Sequence, residues 1–440
     1  MMNLGYVFFG FLSLACTIIQ LISWKNRKKT NSNANPNFVS FQRSYLLAYL
    51  PAVVGDWLQG PYLYALYSRY GFTEDQIAII YVSGFASTVF LGTWLTVLSN
   101  RYSSRKVLMV TTAIYAISSL MKLSVNYGVL IIARALSGLT TPIMFRTFER
   151  WYFHQHVVTY DFPKEWIASS MSKTAVFNGL LAISSGIIAH VMAEWMGYGP
   201  VAPYILAAPF LAASTFLIFF QWNIPDEATD NSQRKFSFLP AIRELAEQPE
   251  VLTLGVLEAL FESSMAIFVF VWTPVLTPPS PSYGIIFSTF MICVLIGGAV
   301  YEILKKHKTQ NILIIISIST SCIGFAISAF FTTPDHPARF GTFLGLLIVE
   351  IGAGIYFPSM MELRKRILPE KHVELLRAIF GVPLNLIACL ALCSLHNNTW
   401  KQGNRILLLI SSTLLFTAFC VALRLKVKSS NCNDEVEDEA

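Results

Sequence analysis

Thirteen apolar segments, each close to the ~20 residues that carry a helix across a bilayer, decide what this chain can fold into. The first covers 3–23; twelve more fall at about 42–66, 76–98, 106–124, 127–149, 166–194, 200–222, 250–276, 283–304, 310–331, 341–362, 374–396 and 404–424. Inside a bilayer the backbone must satisfy its own polar groups, so each segment is expected to be helical. Only 13% of the 440 residues are charged and 54% are hydrophobic, whereas a soluble domain carries roughly 25% charged residues. The expected class is an all-α, multi-pass membrane protein.

The placement of Lys and Arg tests the count of segments, because cytoplasmic loops are enriched in both. If the loop with Arg101, Arg105 and Lys106 is cytoplasmic, 23 of the 32 basic residues lie on that side. Five (Arg69, Lys122, Arg339, Lys401, Arg405) lie on the other side, and four (Arg134, Arg146, Lys173, Arg377) lie within spans. One missed helix would scramble this asymmetry. The pattern predicts an N-terminus outside and a C-terminus inside. The net charge of +6 is spread over many short loops and forms no nucleic-acid surface.

The longest polar interruption after the N-terminal linker, 223–249, divides the last twelve spans six and six. The predicted organisation is an extra transmembrane helix at 1–24, a cytoplasmic linker at 25–41 and a six-helix bundle at 42–222. A cytoplasmic central loop at 223–249, a second six-helix bundle at 250–425 and an acidic cytoplasmic tail at 426–440 follow. Both halves begin with a long span that has acids near mid-depth and a Pro near its outer end, Pro61 or Pro274. Paired six-span bundles of this kind are a transporter architecture, with substrate held between them near the midplane.

Polar residues inside the spans are the candidate site. Asp56 lies halfway along 42–66 in the string DWLQGPY; a carboxylate at that depth costs about 2.5 kcal/mol or more unless it faces protein or water. Gln59 shares its helical face, and Gly60-Pro61 allow a bend. Glu262, Glu350, Asn178 and Asn385 fall near mid-depth; Arg134 lies nearer the outside, with Lys173 and Arg377 nearer the cytoplasm. Glu258 and Glu262, four apart, put two acids on one face. Glu149 and Arg150 close the cytoplasmic end of 127–149 and read as gating charges, together with Arg101 and Arg105. There is no Walker loop, no GxSxG and no His/Cys cluster of ligand spacing, so neither an enzyme, a cofactor nor a metal site is expected. Residue chemistry alone leaves three readings open: an anion carrier, a proton-coupled carrier of a neutral or cationic solute, and a non-transporting receptor or scaffold.

The loop Ser99-Asn100-Arg101-Tyr102-Ser103-Ser104-Arg105-Lys106 resembles the G-x-x-x-D-R-x-G-R-R loop of the major facilitator superfamily, with Asn100 in place of the acid. The strings DWLQGPYLY (56–64), FERWYFHQH (148–156), ALFESS (259–264), VWTPVL (271–276) and YFPSM (356–360) are similar to those of its molybdate-anion transporter family. The similarity extends over nearly the whole chain. It departs at Gly381, where the family usually has an Arg, and at Arg146 and Arg150, where it tends to have small residues. The resemblance implies a major facilitator-type fold, two six-helix bundles plus one extra N-terminal helix, and uptake of molybdate at a cell membrane. A tetrahedral dianion needs positive charge and donors, and Arg supplies a rigid fork of them. Arg134 and Arg377 are therefore the expected substrate-binding cations, supported by Gln59, Asn178 and Asn385. Asp56, Glu258, Glu262 and Glu350 are expected to pair with cations or to carry a coupled proton, with Glu262 favoured for coupling and Asp56 for pairing.

Overall fold

A computed structural model describes residues 2–25, 35–99, 101–222, 247–277, 281–333, 338–369, 373–396 and 402–425, with 243 and 245 as isolated positions. Most of the predicted linker and central loop, and all of the tail from 426 onward, lie outside these residues. Helix α1 spans Met2–Lys25. Helix α2, Pro36–Trp57, begins where the Asn35 side chain accepts the amides of Asn37 and Phe38 and Pro36 takes the first turn, where its missing N–H costs nothing. The predicted span 42–66 is not one helix. The chain turns after Trp57 and resumes as α3, Leu63–Arg69; the break contains Gly60-Pro61, where Pro cannot donate to the helical ladder.

The next predicted span is α4, Glu74–Ser87, opened by a Thr73/Gln76 capping box and continued through a π turn into α5, Thr93–Ser99. Ser103 and Asn126 cap α6, Ser104–Met121, and α7, Tyr127–His154. Helices α8, Glu165–His190, and α9, Ala202–Gln221, complete the first half. The second half holds α10, Pro249–Leu276; α11, Tyr283–Leu304; α12, Gln310–Phe331; α13, Arg339–Ile367; α14, Val373–Cys393; and α15, Gly403–Ala422. Among the described residues, ten helices are long and apolar enough to cross a membrane. The other three predicted spans are helical too: α1 with its apolar stretch Gly5–Gln20, the broken α2/α3, and the 18-residue α6.

The helices from α2 to α9 form one bundle and α10 to α15 a second. In the first, α6 lies against α7 and α9, and α4 against α7; in the second, α12 lies between α13 and α15. Small residues let backbones approach: a Cβ on Gly138 would stand 2.5 Å from the Gly84 carbonyl oxygen, the close contact that membrane helix pairs favour. The bundles meet along two seams, α4/α5 on α14 and α8 on α11. Helix α1 lies on α11 of the far bundle, although the sequence joins it to the near one. Between the seams is a cavity.

Candidate functional site

The cavity has a volume of about 2490 Å³. Its walls run from Leu63 and Trp272, both buried, to the exposed Lys306 and His307. It is therefore closed at one end and open at the end that carries the basic loops. Five of the sequence-derived binding and coupling candidates line it, Asp56, Gln59, Arg134, Asn178 and Glu350, and Lys122 joins them.

Lys122 was assigned to an outer loop by the charge count, and the structure corrects this. It caps the C-terminal end of α6, is 1% exposed, and donates from Nζ to Gln59 Oε1 at 2.6 Å. Its ammonium lies 5.0 Å from the centroid of the Tyr204 ring. The sequence carries a signal for this placement. Tyr115, Ser118, Ser119 and Lys122 fall at i, i+3, i+4 and i+7, a single polar stripe down α6.

Gln59 is fixed from three sides: its amide donates to Gly55 O at 3.0 Å, and its backbone carbonyl accepts Tyr204 Oη at 2.9 Å. Only its Oε1 is left to hold Lys122. Across the same space Arg134 lies over Tyr81, with its guanidinium carbon 5.0 Å from the ring centroid. Gly84 leaves room for this arginine, since a Cβ there would stand 3.2 Å from Arg134 Nε. Arg134 makes no hydrogen bond or ion pair among the described residues, and its Nε is buried without a partner. Lys122 likewise has no carboxylate within 4 Å among them.

The carboxylate beside these two cations is that of Asp56. Asp56 lies within Coulombic reach of both cations, yet its oxygen is taken by the Tyr115 hydroxyl, which donates at 2.5 Å. Trp57 turns its indole N–H onto Asn178 Oδ1 at 2.7 Å, so Asn178 presents its amide N–H donors to the cavity. Around Asp56 the first bundle thus sets Lys122, Arg134 and several donors, and its Glu149, Lys164, Glu165 and Lys173 line the cavity as well.

The second bundle uses its acids differently. Arg364, expected in a basic loop, lies inside α13 and reaches both acids of α10. It stands 2.7 Å from Glu258 Oε1 and 2.9 Å from Glu262 Oε1. Neither acid lines the cavity. Glu262, favoured from the sequence for coupling, is thus paired with Arg364 here. Glu350 of α13 does line the cavity, is 4% exposed, and has no hydrogen bond or ion pair among the described residues.

Two expected ligands lie elsewhere. Asn385 folds back onto Gly381 O at 2.6 Å, four residues earlier on its own helix, and is absent from the lining. Arg377 also lies outside the lining and points across the seam to Glu149 Oε2 at 3.4 Å, an ion pair joining the two bundles. Of the other expected gating residues, Arg150 donates to Ser104 Oγ at 3.2 Å and Ser99 O at 3.4 Å within its own bundle. Arg105 donates to Phe219 O at 2.5 Å, also within that bundle, and Arg101 is exposed. Arg146, beside them, donates to Thr96 Oγ1 at 3.1 Å.

Two bundles of membrane helices, meeting along two seams around a polar cavity open at one end, define a membrane transporter. The family described as sugar transporters with 12 transmembrane segments matches residues 5–349. Proteins named molybdate-anion transporter are similar over nearly the full length. That of Xenopus laevis is 38% identical across 96% of this chain and 94% of its own, and that of Danio rerio 35% across 91% and 89%. The chain belongs to the major facilitator superfamily, in the family of these molybdate-anion transporters. Solved structures agree on the fold. The nucleoside transporter NupG superposes with a TM-score of 0.62 at 14% identity, covering 88% of this chain and 98% of its own. The E. coli fucose:proton symporter FucP gives 0.61 at 12%, covering 88% and 99%.

Proposed function

We propose that this chain moves molybdate, or a closely similar tetrahedral oxyanion, across the cell membrane by alternating access of the central cavity. The observation that carries the reading is the pair Arg134 and Lys122, one half-buried and one buried cation on the cavity without an ion-pair partner among the described residues. A cation uncompensated at bilayer depth is costly, and an incoming dianion with four acceptor oxygens relieves that cost. Arg134 offers a planar fork of donors and Lys122 a point charge. Sugar or nucleoside carriage would leave both charges unpaired, which is why the anion reading is preferred to the name of the matched family. By the positive-inside pattern, the open end of the cavity is the cytoplasmic one, the N-terminus lies outside and thirteen helices span the membrane.

For the energy source we propose a proton, carried by Glu350 rather than Glu262. Glu350 is a buried cavity carboxyl with neither cation nor donor among the described residues, so it can exist protonated or ionised as access alternates. Uptake of labelled molybdate into proteoliposomes tests the first reading. Wild-type chain should accumulate it saturably and Arg134→Ala should not, while Arg134→Lys restores part of the activity. Saturable uptake by Arg134→Ala equal to wild type, or no molybdate flux in the wild type, sinks it. For coupling, Glu350→Gln should lose accumulation driven by a proton gradient yet retain exchange of internal for external anion. Equal loss or equal retention of both rejects the proton role.

A further inference from the structure

The closed end of the cavity is held by an unusual arrangement at the start of α11. Its N-cap residue Ser282 makes no side-chain cap, although the first amides of any helix lack intrahelical partners. Two of them are satisfied from the opposite bundle. The Tyr283 N–H donates to Glu194 Oε1 at 3.2 Å and the Gly284 N–H to Tyr62 Oη at 3.3 Å. Tyr62 in turn donates its hydroxyl to the same Glu194 oxygen at 2.6 Å. The second oxygen of Glu194 stands 3.1 Å from His190 Nδ1, an electrostatic contact and not an aligned hydrogen bond. The other ring nitrogen of His190 lies 2.7 Å from the hydroxyl of Tyr6, on α1.

Helix α1 is attached to the far bundle. Cys16 packs with Ile292 and Ile296 of α11, and Gln20 donates to Leu295 O at 3.3 Å. Phe8 meets Phe343 and Phe340 of α13, with ring centroids 5.9 and 6.0 Å apart. Tyr6 therefore ties a helix that rides on the second bundle to His190 of the first. Where α8 and α11 meet there is no slack: a Cβ on Gly284 would stand 2.7 Å from His190 Cβ and would also collide with the Gly186 carbonyl.

We propose that α1 is a latch on this end of the transporter: through Tyr6 and His190 it steadies the Glu194 carboxylate that caps α11, and so holds the two bundles closed there. When access alternates, α8 and α11 part at this end, and the Tyr6–His190 bond must break together with both caps. Tyr6 and His190 are positioning residues; neither lines the cavity. The inference rests on alternating access alone and is independent of which solute is carried.

A reporter cysteine tests it. Leu63 lies at the closed end of the cavity and is 5% exposed. A membrane-impermeant maleimide is applied to the Tyr6 face of sealed vesicles holding the full chain with Leu63→Cys, and the chain without this substitution supplies the background. Tyr6→Phe keeps the edge-on contact with the His190 ring, whose centroid is 6.0 Å away, and removes only the hydroxyl. The labelling rate should rise roughly two- to tenfold, the worth of one hydrogen bond. His190→Leu should raise it at least as far. Because the two residues act in series, the double variant should match His190→Leu alone. Unchanged labelling in Tyr6→Phe, or additive effects in the double variant, overturns the latch. If His190→Leu does not reach the membrane, Tyr6→Phe decides alone, with Phe8→Ala, which loosens α1 from α13, expected to move the rate the same way.

Discussion

The two bundles hold similar charged residues and put them to opposite uses. In the second, Arg364 takes Glu258 and Glu262 together, at 2.7 and 2.9 Å, so three charges form one self-contained knot away from the cavity. In the first, Lys122 and Arg134 face one carboxylate, and Tyr115 holds that carboxylate by a hydrogen bond of 2.5 Å. A knot of this kind is structural: it is satisfied before any solute arrives. The first arrangement is left unsatisfied, and an unsatisfied buried cation is a demand for a ligand. The proposed site is therefore read from what remains unpaired, not from where charge is densest.

The sharpest way to break this comparison is to cut the knot. Arg364→Ala strands the buried Glu258 and the half-buried Glu262, and removing one partner of a buried pair costs about 3–5 kcal/mol. The thermal unfolding midpoint of the solubilised chain should fall by many degrees. Glu258→Gln with Glu262→Gln and Arg364→Met, which removes all three charges, should recover most of the loss, and molybdate uptake should return with the fold. A triple variant that folds but does not transport would show that the knot takes part in transport.

Lys122→Met is the mirror test. It removes a buried charge that has no counterion among the described residues, so stability should hold or rise. Affinity for the anion should fall roughly 10- to 100-fold, the range of a hydrogen bond to a charged group. Equilibrium binding of molybdate by the solubilised chain measures it; unchanged affinity would confine Lys122 to holding Gln59.

How much of this contrast the amino-acid sequence discloses depends on whether it is local. Asp56, Gln59 and Arg134 stand out because a polar group in an apolar run is visible without knowing its neighbours, and all three reach the cavity. Lys122 is legible only through its stripe on α6, since a basic residue at a span end looks like a loop residue. The partnership of Arg364 with Glu258 joins residues 106 apart in sequence, and no spacing rule predicts which helices meet. Asn385 fails for the same reason: depth along a span says how deep a side chain lies, not which way it turns. The docking of α1 on α11 was invisible too, because nothing in its apolar composition distinguishes one bundle surface from another.

Tyr115→Phe sharpens the comparison from the side of the acid. Without its donor, Asp56 is free to swing toward Lys122 and Arg134, which already lie within its field. It would then neutralise the pair as Glu258 and Glu262 neutralise Arg364. Anion affinity should drop several-fold while the fold remains intact, a smaller effect than removing a cation outright. Asp56→Asn in the same background should restore affinity, because the competing charge is gone. If Tyr115→Phe leaves affinity untouched, Asp56 is not the competitor that the geometry makes it.

The smallest effect is expected where the two bundles meet at the open end. Arg377 and Glu149 are 3.4 Å apart and their side chains are 30% and 41% exposed. An ion pair so open to water is screened and pays side-chain entropy, so it contributes at most about 1 kcal/mol. It does, however, connect α14 to α7 across the seam between the bundles, so a movement of one bundle against the other strains it. Arg377→Gln should therefore leave binding affinity and stability nearly unchanged and alter the transport rate by about fivefold or less. High salt, which screens exposed charges, should move the wild-type rate in the same direction and leave the variant's rate unmoved. A large loss of molybdate affinity in Arg377→Gln would instead return Arg377 to the substrate site, as its residue type first suggested.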